Sequence, residues 1–217
     1  MKNQDYLYLD HAASTPMRKS ALDKYIEAES FGFANSSGGH KLSRNSKNLL
    51  EDSREIIAEL LDSAPSEIVF TSGGTEADNW TIKSLFDSKQ PNNNLVTSNI
   101  EHEAVLASAE WISSNGFQTK YAKSDENGFV TKDEFIKQID DETKVASLMW
   151  GNNETGVIQP IKDISKELKS INSSTLFHSM LSKALSQIML IFIEMELKVQ
   201  QYLLTKLEAL KVLELCL

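Results

Sequence analysis

The sequence predicts an α/β fold: a largely parallel sheet flanked by helices. Short apolar runs alternate with helical periodicity from residue 6 to residue 178, and three Gly- or Asn-rich loops each follow a strand candidate. The 217 residues, 41% of them hydrophobic, suffice for one full domain or for most of a larger one.

The elements follow in order. Tyr6-Leu7-Tyr8-Leu9 is a short strand candidate ending at Asp10. Residues 20–29 read as a helix. Residues 43–61 read as a longer one, with an apolar stripe of Leu49, Leu50, Ile56, Ile57, Leu60 and Leu61. Pro65 closes that connection, and residues 67–71 (Glu67-Ile68-Val69-Phe70-Thr71) read as a buried strand running into Ser72-Gly73-Gly74-Thr75 and a helix from Glu76 towards Phe86. Further strands are expected at 94–98, 119–122, 144–150 and 174–178, and helices at 104–113, 131–138 and 161–169.

Composition narrows the function classes. The formal charge is −9 and no long Lys/Arg run occurs, so a phosphate backbone finds no basic stripe and direct nucleic-acid binding is not expected. The single cysteine, Cys216, can make neither an intramolecular disulfide nor a Cys-rich metal site. The segment Met1-Lys2-Asn3-Gln4-Asp5 lacks the apolar core of a signal peptide, and the longest apolar runs are broken by Glu, Lys and Gln. A cytoplasmic chain without a membrane span is expected.

Residues 180–217 differ in kind from what precedes them. They contain no Gly, Pro, Asp or Asn, whereas all 9 Gly and all 4 Pro lie in residues 1–179. The Leu-rich tail carries no turn signal. Leu203, Leu207, Leu210 and Leu217 fall near one helical face, so it reads as an amphipathic helix.

Three loops carry candidate chemistry. Ser72-Gly73-Gly74-Thr75 opens a helix after a strand, which aims free backbone N–H groups and a helix dipole at an anion such as phosphate. The same residues also serve as a tight turn with Thr75 as the cap. Asn99-Ile100-Glu101-His102-Glu103 follows the next strand. His102 there suits acid–base work or stacking on a flat ring, and equally suits a surface histidine between two glutamates. Trp150-Gly151-Asn152-Asn153-Glu154-Thr155-Gly156 follows a third strand, and its amides can hold a phenolate or carbonyl oxygen, or simply turn the chain. Ligands of open α/β sheets sit beyond the carboxyl ends of the strands, so the three loops together predict one crevice for a flat, anionic ligand.

These residues resemble the class V aminotransferase group of fold-type I pyridoxal-phosphate enzymes, most closely the cysteine desulfurases. The resemblance rests on Tyr8-Leu9-Asp10-His11-Ala12-Ala13-Ser14-Thr15-Pro16, on Asn35-Ser36-Ser37 with Gly39-His40, and on Thr71-Ser72-Gly73-Gly74-Thr75-Glu76-Ala77-Asp78-Asn79. Glu101-His102-Glu103-Ala104-Val105-Leu106 and Asn152-Asn153-Glu154-Thr155-Gly156 complete it, in family order over about residues 6–179. It implies the large domain of a fold-type I enzyme with its N-terminal arm, and pyridoxal 5'-phosphate as cofactor. Gly74 and Thr75 would bind the phosphate, His102 would stack on the pyridine ring, and Asn153 would bond the ring's phenolic oxygen. It implies an amino-acid substrate, with sulfur passing from cysteine to an enzyme persulfide for iron–sulfur clusters or thiolated tRNA. A homodimer and a sulfur-acceptor protein are the implied partners.

The pattern then departs. The family continues Phe-His-x-Asp-Ala-x-Gln, its Asp pairing with the pyridine nitrogen, where this chain reads Phe177-His178-Ser179-Met180-Leu181-Ser182-Lys183. Back-translation of residues 180–183, moved back by one nucleotide, permits D-A-V-Q. The same shift over residues 202–215 permits V-S-A-H-K-I-G-G-P-K-G-V-G-A, a family-like lysine segment. The expectation is a single-nucleotide deletion near the Ser179 codon. Lys206 falls at the offset of the family's Schiff-base lysine, among foreign neighbours Leu203-Leu204-Thr205 and Leu207-Glu208-Ala209. Cys216 does not replace the persulfide cysteine. The expected product therefore comprises a partial cofactor-binding domain at 1–179, a non-family tail at 180–217 and no C-terminal small domain. It keeps the cofactor loops without catalytic residues. The alternatives are a non-catalytic dimerising or partner-binding remnant, or another class V enzyme resembling a selenocysteine lyase.

Overall fold

A computed structural model of the chain describes residues 7–10, 15–87 and 89–180; the tail beyond 180, with Lys206, Cys216 and the expected terminal helix, lies outside the described residues. The chain divides into two compact units, Met1–Ser66 and Glu67–Leu217.

The first unit holds α1 (Lys19–Phe31) and α2 (Lys41–Leu60). The pairs Lys19–Asp23 and Lys24–Glu27 brace the outer surface of α1, and no residue of α1 is buried. At its end Gly32 donates to the Ala28 carbonyl, and the Ser46 hydroxyl of α2 donates to the Gly32 carbonyl at 3.0 Å. A Cβ on Gly32 would sit 2.8 Å from the Ala28 oxygen and 3.0 Å from Leu49 Cδ2, so the close approach of α1 to α2 requires glycine there. His40 caps α2 by accepting the Ser43 N–H. Helix α2 buries the small residues Ser43, Ser46 and Ala58. Leu50, Ile56 and Leu60 of the expected stripe are exposed instead, because the close contact is made by small side chains. Leu7 to Asp10 form no strand.

A turn of 3-10 helix at Pro65–Glu67 spans the boundary between the units. The strand expected at residues 67–71 does not form; Val69 makes a lone bridge. A strand needs a continuous ladder beside it, and none of the four described strands runs alongside these residues. Helix α3 (Gly74–Lys83) follows, then β1 (Asn94–Ser98), α4 (Glu103–Ser114), β2 (Gln118–Ala122), α5 (Lys132–Ile136), β3 (Thr143–Ser147), α6 (Ile161–Ile171) and β4 (Leu176–His178). The alternation read from the sequence thus stands, with boundaries moved by one to three residues in most elements.

The four strands form one parallel sheet in the order β2-β1-β3-β4. All five residues of β1 are buried, as expected of a central parallel strand covered on both faces. Side chains alternate across it. Leu95 and Val145 pack against Ile82 of α3 and against Val105, Ala109 and Ile112 of α4. Val96, Ala146 and Leu148 pack on the other face with Phe135 of α5 and with Ile164 and Leu168 of α6. At the amino edge Asn94 donates to Asp140 at 2.8 Å, and Lys120 of β2 pairs with the same carboxylate.

The order has a consequence for ligands. From β1 the chain leaves through α4 to β2 on one side; from β3 it leaves through α6 to β4 on the other. Between the carboxyl ends of β1 and β3 the connections diverge to opposite faces, which opens a crevice at this topological switch point.

Candidate functional site

Helix α3 starts without a side-chain cap. Thr75 does not cap; it lies inside the first turn, exposed, and its hydroxyl makes no hydrogen bond among the described residues. Glu76 instead reaches back to the residue before the N-cap, its Oε2 accepting from the Ser72 N–H at 2.6 Å and the Ser72 hydroxyl at 2.7 Å. Those bonds, the backbone one foremost, hold the Glu76 carboxyl below its ordinary value. The Gly74 and Thr75 amides meet no acceptor among the described residues, while the Glu76 and Ala77 amides already return to the Gly73 carbonyl. Gly73 is extended (φ 159°, ψ 174°), and a Cβ placed on it would meet nothing within 4 Å. Two amides without an acceptor among the described residues, at a helix N-terminus, fit an anion such as phosphate.

His102 ends the loop after β1. It is the N-cap of α4, with Nδ1 accepting from the Ala104 N–H at 3.2 Å. That bond fixes the imidazole of this half-buried residue, and its Nε2 makes no hydrogen bond among the described residues. Asn153 lies in the loop after β3, half-buried, and its side-chain amide makes no hydrogen bond among the described residues. The turn around it is tied by the neighbouring Asn152, whose Oδ1 accepts the Glu154 and Thr155 N–H groups at 2.9 Å each. Gly156 closes the turn at φ 74°, a left-handed conformation suited to glycine.

Helix α3 is brought to the same rim by a contact the sequence did not signal. Its Asp78, one turn past Gly74, places Oδ1 3.1 Å from Nε2 of His178, the last residue of β4. His178 Nδ1 lies 2.9 Å from the Ser147 hydroxyl at the end of β3. Asn79 joins α3 to α4 by accepting from the Ser108 hydroxyl at 3.3 Å. The Gly74–Thr75 turn, His102 and Asn153 therefore all stand on elements that meet at the carboxyl ends of β1, β3 and β4.

Glu101, read from sequence only as a flank of His102, is 6% exposed. Its Oε1 accepts from the Met149 N–H at 2.7 Å and from the Ser98 hydroxyl at 3.2 Å. Burial pushes its carboxyl up to about 7; the Met149 amide, His178 and Ser98 pull it down, and Asp78 adds to the rise. Oε2 of Glu101 and Oδ2 of Asp78 are buried without a partner among the described residues. A half-satisfied carboxylate is a costly thing to bury, so this polar cluster marks the rim as specialised.

Met180, at the place where the resemblance implies an acid, brings no carboxylate. Its carbonyl accepts from the Trp150 N–H at 3.3 Å, and Leu148 donates to the His178 carbonyl at 3.1 Å. The pairing of β3 and β4 is thereby prolonged to the rim. No helix among the described residues is long and apolar enough to cross a membrane.

Comparison with known proteins agrees with this fold. The family model described as Aminotransferase class-V matches residues 7–210. A cysteine desulfurase IscS of Methanosarcina thermophila is 38% identical over 164 residues, covering 75% of this chain and 41% of its own length. A putative cysteine desulfurase IscS 1 of Bacillus subtilis (strain 168) is 39% identical over 164 residues, covering 75% and 43%. Among solved structures, a NifS-like protein superposes with a TM-score of 0.74 at 34% identity, over 77% of this chain and 46% of that one. SspA in complex with cysteine gives 0.74 at 35% identity, over 79% and 49%. The chain thus spans less than half the length of these relatives.

Proposed function

This chain belongs to the class V aminotransferase family, and from that premise we propose that it binds pyridoxal 5'-phosphate in the crevice between β1, β3 and β4, as the large-domain part of a cysteine desulfurase. Proteins of this family and the cysteine desulfurases are pyridoxal-phosphate-dependent. The observation that carries the reading is the pair of Gly74 and Thr75 amides that meet no acceptor among the described residues, beside a switch point that also holds His102 and the uncommitted amide of Asn153. Gly74 and Thr75 would hold the phosphate, His102 would stack on the pyridine ring, and Asn153 would donate to the phenolic oxygen. When bound, the cofactor supplies an electron sink for a carbanion at the amino acid's α-carbon.

For the complete family enzyme the substrate class is an amino acid, L-cysteine by homology, with sulfur delivered to an acceptor protein in the cytoplasm. A homodimer is the expected assembly. Residues 1–179 are the partial cofactor domain and residues 180–217 a tail foreign to it.

Met180 favours a second element of the proposal, that the chain binds without turning over. An acid opposite a pyridinium nitrogen keeps that nitrogen charged, and a thioether cannot do so. Titration of the 217-residue chain with pyridoxal 5'-phosphate, followed by tryptophan fluorescence and visible absorption, tests both elements. Saturable binding without sulfide release from cysteine is the expected outcome, with a visible band that Lys206→Ala leaves unchanged. Absence of saturable binding overturns the cofactor reading; sulfide release overturns the second element.

A further inference from the structure

Glu101 and Asn152 immediately precede His102 and Asn153, and each reaches across to the other's loop. The Glu101 carboxylate, in the loop after β1, accepts the N–H of Met149 in the loop after β3 at 2.7 Å. The Asn152 amide, in the loop after β3, donates to the carbonyl of Ile100 in the loop after β1 at 3.1 Å. The two bonds run in opposite senses, side chain to backbone each way, so they cross. Both side chains are also held at their own roots. Glu101 takes the Ser98 hydroxyl of its own strand, and Asn152 takes the Glu154 and Thr155 amides of its own turn. Among the described residues the paired register of β1 with β3 ends at Val96–Ala146, short of the rim.

We propose that Glu101 and Asn152 are positioning residues that form a crossed clamp between the two loops and set the placement of His102 against Asn153 for a planar heteroaromatic ring. The inference rests on the cofactor reading above for the identity of that ring. Neither residue need touch the ligand. Their effect comes from geometry, since a displacement of roughly 1 Å in a positioning element costs on the order of a hundredfold in function. The phosphate cradle at Gly74 and Thr75 lies on α3, outside the clamp. The clamp therefore governs affinity for the ring and not for the anion.

The test uses the full 217-residue chain with two probes, pyridoxal 5'-phosphate and inorganic phosphate, and with hydrogen–deuterium exchange of the free protein. Glu101→Ala and Asn152→Ala are each expected to weaken pyridoxal 5'-phosphate about tenfold while inorganic phosphate changes less than about twofold. Glu101→Gln keeps an oxygen for the Met149 amide and is expected to hold the parent affinity within about twofold. In exchange, Glu101→Ala speeds residues 149–156, and Asn152→Ala speeds residues 99–102. If one alanine variant fails to fold, the other decides. Equal loss of both probes, unchanged affinity in a folded alanine variant, or a loss in Glu101→Gln as large as in Glu101→Ala overturns the clamp. If the parent binds no pyridoxal 5'-phosphate, exchange alone decides: cross-loop acceleration supports the clamp while the cofactor reading falls, and unchanged exchange overturns the clamp itself.

Discussion

Asp78 and His178 are joined at 3.1 Å although one lies on α3 and the other a hundred residues on, at the end of β4. Both side chains are nearly out of solvent, and Ser147 holds the far nitrogen of the ring. This link, more than any local signal, fastens the start of α3 to the sheet. Asp78→Ala is expected to cost about 2 kcal/mol in urea unfolding, the scale of a buried polar group left without its partner. Asp78→Asn keeps an acceptor for the ring and is expected to cost less than half as much. Equal stability of parent and alanine variant would contradict the role given to the pair.

Glu101 makes stability depend on pH in the unusual direction for a carboxylate. An unfolded glutamate titrates near about 4.3, whereas burial raises the folded one to about 7. Between those values the folded chain holds a proton that the unfolded chain has lost, so stability is greatest below the window and falls as pH rises through it. Glu101→Gln removes the titration. The variant is expected to gain on the parent by roughly 2 kcal/mol at about pH 8 and to show a flat profile through the window. Urea unfolding at several pH values measures this, and a parent that grows more stable across the same range would refute it.

Asp140 acts in the ordinary direction. Burial alone would raise its carboxyl, but the Lys120 ammonium, the Asn94 amide and the Thr143 hydroxyl outweigh it and hold the group at about 2. An unfolded aspartate titrates near about 3.9, so the contribution is complete above that value and is lost as pH falls through the folded one. The side chain is 47% exposed, and solvent screening limits the contribution to about 1 kcal/mol. Asp140→Asn is expected to lower the thermal midpoint at neutral pH and to bring it level with the parent in acid. A constant difference at all pH values would mean that charge is not the cause.

The reading frame is open to direct check. Sequencing of the locus downstream of the Ser179 codon is expected to show that one inserted nucleotide restores D-A-V-Q and the lysine segment. The restored-frame chain is expected to gain sulfide release from cysteine. An intact frame encoding the Leu-rich tail would remove the deletion hypothesis.

Much of this was legible from residues alone, for identifiable reasons. The span of β1 was read to the residue because Leu95 and Val96 sit in a short apolar run bounded by Asn and Ser. The strand at 67–71 was misread because Ile68, Val69 and Phe70 satisfy the local pattern while a strand also requires a neighbour, which is not a local property. The stripe on α2 was misread for the same reason: periodicity says which residues share a face, not what covers it. At the rim, the loop positions of His102 and Asn153 followed from strand–loop order, whereas Gly74 and Thr75 open helix α3 behind a segment that forms no strand. Glu101 was passed over because a carboxylate beside another glutamate reads as solvated, and its partner Met149 is 48 residues away. His102 caps a helix that begins at Glu103, one residue earlier than its apolar periodicity indicates, so the cap position was not legible from the pattern.

Strand β1 is hydrogen-bonded on both sides and buried at every position. Releasing it means stripping β2 and β3 away together, so its amides are the ones whose exchange should track dismantling of the whole sheet. Exposed residues of the loops that crown it can change without unzipping that ladder, which is how one scaffold comes to carry several chemistries.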